Sequence, residues 1–104
     1  MRGDPVGKAN DKLDLKLPDV EKAFTELHSA VFSDGKLTVK QKELIAVGIS
    51  VAIRCSPCIR NHVSKAIEAG ASKEEILEAA SVALLMRGGP AIPYIRELIE
   101  LLGE

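Results

Sequence analysis

Hydrophobic residues recur at helical intervals along most of the chain. Val20, Phe24, Leu27 and Val31 stand three or four residues apart, and Pro18 suits a first-turn position, so a helix is predicted from Pro18 to about Phe32. Ser33-Asp34-Gly35 ends it. Thr38 followed by Gln41 is a capping-box pattern, opening a second helix that runs to about Arg54. From Leu44 to Ile53 this helix is apolar on every face, and such a helix must be covered all round. A third helix is expected from Ser56-Pro57 to Glu68 or Ala69, with Gly70 as its left-handed cap. Ser72 and Glu75 make a second capping box, and Ile76, Leu77, Ala80, Val82, Ala83 and Leu84 carry a fourth helix to Met86. Gly88-Gly89-Pro90 breaks it. A last helix, roughly Pro93 to Leu102, has Ile95, Leu98, Ile99 and Leu102 on one side. Residues 1–16 are polar, carry Gly, Pro and Asn, and have no helical period; they read as a mobile or loosely docked arm before a single domain over residues 17–104. The fold expected is therefore all-α: a compact bundle of about five helices around a central antiparallel helical hairpin.

Composition agrees with helix-on-helix packing. The chain of 104 residues is 46% apolar but only 3% aromatic, so its core must be built from Leu, Ile, Val and Ala. A chain this short buries about two-thirds of its unfolded surface. An all-round apolar helix is then hard to cover from one subunit, which leads us to expect a homo-oligomer. Fourteen basic against 15 acidic residues give a net charge of −1 and no dense basic block, which argues against nucleic-acid binding. The apolar run from Leu44 to Ile53 is about half a membrane span, and no secretory leader is evident, so a soluble, cytoplasmic protein without membrane partners is expected. In a reducing compartment two cysteines three residues apart point to redox or metal chemistry rather than to a structural disulfide.

Those cysteines lie in Cys55-Ser56-Pro57-Cys58-Ile59-Arg60-Asn61-His62. A Cys-x-x-Cys pair at a helix start can form a reversible disulfide, and the positive end of the helix dipole stabilises the thiolate that does the attacking. His62 follows Cys58 by four residues, one turn along the same face, but follows Cys55 by seven. Cys58 is therefore the expected nucleophile and Cys55 its resolving partner. Glu43 is the odd residue at the start of an apolar helix. It precedes Cys55 by about 18 Å of helix, and His62 returns about 9–10 Å along an antiparallel third helix. The remaining gap is about two side chains, or one plus a water. Glu43 is thus expected to orient His62 and stabilise its charge, as a buried carboxylate orients an imidazole in a triad.

Glu43, eleven intervening residues, then Cys55-x-x-Cys58-x-x-x-His62 resembles the alkylhydroperoxidase D core of the carboxymuconolactone decarboxylase-like superfamily. The resemblance extends over roughly Leu37 to Ile92, including Glu68-Ala69-Gly70-Ala71-Ser72-Lys73-Glu74-Glu75-Ile76 and Gly88-Gly89-Pro90. It implies an all-helical fold, homo-oligomers that are often trimers or hexamers, and peroxiredoxin-type activity with a redox-cycling cysteine pair. It also implies the second cysteine as the attacking thiol, deprotonated through the histidine and glutamate. The partners expected are a peroxide or disulfide substrate and a reducing partner. It does not imply a flavin, haem or metal, and no cofactor is expected. Two departures matter: the decarboxylase branch typically lacks the cysteine pair, and Ser56-Pro57 stands where some members carry a histidine just before the second cysteine.

Rival readings follow from the same residues. The cysteines could be inert core residues. Cys55, Cys58 and His62, with Glu43 or His28 as fourth donor, could hold a structural zinc, although such sites usually show two ligand pairs. Covalent c-type haem needs His directly after the second cysteine, and position 59 is Ile. A carboxymuconolactone decarboxylase-like enzyme acting on a lactone or other carbonyl would use His62 as base and would not need the sulfurs. His28 falls on the polar side of the first helix and reads as a surface residue. Arg54 and Arg60 could raise the potential near the thiols or simply be solvated, and Arg87 could meet substrate or a neighbouring subunit.

Overall fold

A computed structural model describes residues 13–103, and within them five α-helices follow one another: α1 (Pro18–Val31), α2 (Val39–Ala52), α3 (Ser56–Glu68), α4 (Lys73–Arg87) and α5 (Ile92–Leu101). A short 3₁₀ turn, Gly89–Ala91, separates α4 from α5. Most of the arm expected over residues 1–16 lies outside the described residues. Within its end, the Leu15 N–H donates to Glu21 Oε2 at 3.0 Å.

Both capping boxes form. Thr38 accepts from the Gln41 N–H while the Gln41 side chain accepts from the Thr38 N–H, and Ser72 and Glu75 do the same at the start of α4. Both α2 and α3 end on a residue with left-handed backbone. At the end of α3, Gly70 takes φ +98°; its N–H bonds Ile67 O at 2.9 Å and the Ala71 N–H bonds Ala66 O at 2.9 Å. This pair of bonds is the Schellman arrangement. The end of α2 repeats it with an arginine: Arg54 sits at φ +57°, its N–H bonds Val51 O and the Cys55 N–H bonds Ser50 O, both at 3.1 Å.

The core is a stripe on each helix. Val47 and Val51 of α2 meet Ile59, Val63 and Ala66 of α3, Ile76, Ala80 and Ala83 of α4, and Leu98 of α5, all buried. The i, i+4 spacing of these pairs sets them on one face. Small residues bring α2 and α4 close: a Cβ on Gly48 would stand 3.3 Å from Ala79 O. Because α2 and α3 are joined by only residues 53–55, they fold back antiparallel, which brings the beginning of α2 beside the second turn of α3.

Two apolar faces stay open. Ile45 and Ile49 of α2 and Ile53 just past its end are 50–62% exposed, so the described residues cover only part of a helix that is apolar all round. On α1 no residue is buried, and Val20, Phe24, Leu27 and Val31 are each about half exposed. The period of α1 is therefore correct, yet its apolar stripe does not join the core. A groove of about 510 Å³ runs between α2 and α4, lined by residues that include Leu44, Ile45, Ile49, Val82 and Met86. Among the described residues no helix is long and apolar enough to cross a membrane.

Candidate functional site

Cys55 is shared by two helices. Its N–H closes the end of α2, and its sulfur caps the beginning of α3, accepting the Cys58 N–H at 3.2 Å. Its carbonyl accepts the Ile59 N–H at 2.9 Å. Pro57 lies in the first turn of α3, where its missing N–H costs nothing. The two sulfurs are joined as a Cys55–Cys58 disulfide, with Cα atoms 5.2 Å apart. Both cysteines are half-buried.

One turn beyond Cys58, His62 meets Glu43. His62 Nδ1 and Glu43 Oε1 are 2.7 Å apart, so the two side chains span the gap and meet directly, without a bridging water. The Glu43 side chain is 4% exposed and that of His62 17%. A carboxylate this deep is stabilised only by a partner. With Nδ1–H donated to Glu43, the neutral imidazole presents Nε2 as its acceptor, the nitrogen that can take a proton from a thiol. Among the described residues there is no group of three or more His, Cys, Asp or Glu that could hold a metal ion.

Three further contacts gave no signal in the sequence. Ser56 Oγ donates to Glu97 Oε2 at 3.0 Å and so ties the first turn of α3 to α5. That carboxylate stands at the positive end of α3, where it opposes the dipole's support of a thiolate. Phe32 stacks on His62, with ring centroids 5.6 Å apart. His28 is not a bare surface residue: it is half-buried and its ring lies 4.9 Å from that of Phe32. Arg54, Arg60 and Arg87 are exposed. The α2–α4 groove is lined by none of Glu43, Cys55, Cys58 and His62, nor by any ionisable residue.

Known proteins share this arrangement of helices. A solved structure from Thermotoga maritima, a carboxymuconolactone decarboxylase family protein suggested to be involved in antioxidative response, is 44% identical and superposes with a TM-score of 0.75 over 79% of this chain and 84% of that one. An apo carboxymuconolactone decarboxylase family protein from Legionella pneumophila is 34% identical, with a TM-score of 0.84 over 94% of this chain and 88% of the other. In Paracoccus denitrificans, uncharacterized protein 4 in the cox locus is 39% identical over 85 residues, 82% of this chain and 77% of its own length. The family model itself matches residues 18–101, which takes in all five helices and every residue of the site, and the chain therefore belongs to the carboxymuconolactone decarboxylase family.

Proposed function

We propose that the protein is a thiol-dependent oxidoreductase that reduces a peroxide or a disulfide and cycles between a Cys55/Cys58 dithiol and the Cys55–Cys58 disulfide. The observation that carries this reading is the redox-capable pair at the start of α3 with a buried Glu43–His62 contact of 2.7 Å one turn away. The antioxidative role suggested for the Thermotoga maritima relative supports the same direction.

In the reduced protein Cys58 passes its proton to His62 Nε2, and Glu43 stabilises the imidazolium. The thiolate attacks the terminal peroxide oxygen. The O–O bond breaks, the alkoxide leaves with the proton from His62, and Cys58 becomes a sulfenic acid. The Cys55 sulfur then attacks Cys58, forming the S–S bond and releasing water. Peroxide gains two electrons and the dithiol loses two. A reducing dithiol partner returns them by thiol–disulfide exchange. With a disulfide substrate, Cys58 attacks sulfur instead and the leaving thiolate takes the proton. We further propose that copies of the chain associate into a trimer or hexamer and work in the cytoplasm.

Free thiols counted before and after one equivalent of peroxide, with non-reducing mass spectrometry, test the cycle. Two thiols should disappear per chain with the loss of two hydrogens. Cys58→Ser should abolish turnover. A Cys58→Ser protein that keeps full activity on a lactone would instead establish a decarboxylase-type reaction with His62 as base.

A further inference from the structure

The last turn of α1 makes contacts that the proton relay does not use. The ring of Phe32, the residue that closes α1, lies against the imidazole of His62 with planes 25° from parallel and centroids 5.6 Å apart. The same stretch of chain is tied to α2 by Lys42, whose Nζ donates to Val31 O at 2.8 Å and to Ser33 O at 2.7 Å. Val31 O is one of the carbonyls that the end of a helix leaves without an intrahelical partner, and Ser33 O lies just beyond the cap. Lys42 is the residue before Glu43, so one turn of α2 supplies both the anchor for Phe32 and the acid beside His62. No residue of α1 is buried, so this anchoring fixes its final turn rather than sinking the helix in the core.

We propose that Phe32, held in place by Lys42, is a positioning residue that sets the plane of the His62 ring and supports the imidazolium formed when Cys58 gives up its proton. The proposal rests on the function proposed above. The torsional freedom of the imidazole is rotation about Cβ–Cγ, and the hydrogen bond at Nδ1 opposes it only as strongly as one hydrogen bond can. A flat aromatic face at stacking distance removes that freedom. The same face carries negative quadrupolar charge and favours a cation over a neutral ring. The groups seen against His62 are Glu43 from α2 and Phe32 at the end of α1 with His28 behind it, and Cys58 lies one turn earlier on α3. The step itself moves one proton from Cys58 Sγ to His62 Nε2 and forms or breaks no other bond.

The pH profile of iodoacetamide alkylation of the reduced protein tests this. Phe32→Ala should move the midpoint up by about half a pH unit, a roughly threefold loss of rate below it. Phe32→Tyr keeps the ring face and should behave as wild type. Lys42→Met should shift the midpoint in the same direction as alanine at position 32. Phe32→Leu keeps apolar bulk, so it separates loss of the ring face from loss of folding and should also shift the profile. Wild-type profiles for both Phe32→Ala and Phe32→Leu, with His62→Ala displaced upward, would overturn the proposal and leave the proposed function standing. A His62→Ala profile that coincides with wild type would sink the relay, and the role of Phe32 with it.

Discussion

Arg54 holds a backbone conformation that glycine takes at no steric cost. Its φ of +57° and its place in a Schellman turn match Gly70 at the end of α3, which makes the same two bonds. A left-handed L-residue costs about 1–2 kcal/mol, part of which glycine returns through its freer unfolded chain. Arg54→Gly should therefore raise the unfolding free energy by about 0.5–1 kcal/mol, read as a higher urea midpoint with an unchanged slope. The left-handed residue is what lets Cys55 end one helix and start the next. A conformation costly at Arg54 is thus part of how the disulfide is delivered to the positive end of α3. At the same scale the nearness of Cys55 to Cys58 and of Glu43 to His62 was legible in their spacing, because helical geometry sets His62 one turn from Cys58. Phe32, Lys42 and Glu97 were not, because their partners are far off in sequence or are backbone carbonyls with no side-chain signature.

Helix ends were written locally, and one of them carries a pH response. Glu75 completes the capping box of α4 and also pairs with Lys40 of α2 at 2.9 Å. Hydrogen bonding to Lys40, then to the Ser72 N–H, holds its carboxyl below the ordinary glutamate range. A carboxyl whose folded pKa lies below its unfolded one contributes stability above the unfolded value, and loses it as pH falls through the lowered one. Glu75→Gln keeps the capping acceptor and removes the charge. Wild type should be the more stable at pH 7, with the difference fading as both are titrated into acid; thermal unfolding at several pH values measures it. The bounds of α2 and α3 followed from Thr38, Gln41, Ser56, Pro57 and Gly70, since caps and first-turn prolines act over a few residues. The tightness of the α2–α3 hairpin did not. Sequence spacing allowed Glu43 and His62 to meet directly or through a water, and side-chain packing between the two helices made the contact direct, at 2.7 Å.

Across the whole molecule the uncovered apolar surface is the feature that calls for a partner. Ile45 and Ile49 of α2 and Val82 and Met86 of α4 line one groove, and Val82 and Met86 are 61% and 78% exposed. Contiguous surface of this kind marks interfaces in proteins of this size. A second copy of the chain would cover the stripe that α2 leaves open. Sedimentation at micromolar concentration should show a mass above the monomer, and Val82→Glu should lower it by placing a charge in the groove without touching the buried core. A wild-type protein that sediments as a monomer across that range would remove this expectation.

Local chemistry along the chain determined the helices, their caps, the aliphatic core and the Glu43, Cys55, Cys58, His62 pattern. Those features depend on neighbours three or four residues away, a range over which side-chain type and helical period are decisive. Tertiary structure alone decided that α1 would lay only its last turn on the site, that Lys42 would anchor that turn, and that Phe32 would cover His62. It also decided which faces of α2 would be covered. An amphipathic stripe records that a face needs a partner; which surface supplies it depends on volumes and distances between segments far apart in sequence, and these exist only once the helices have packed.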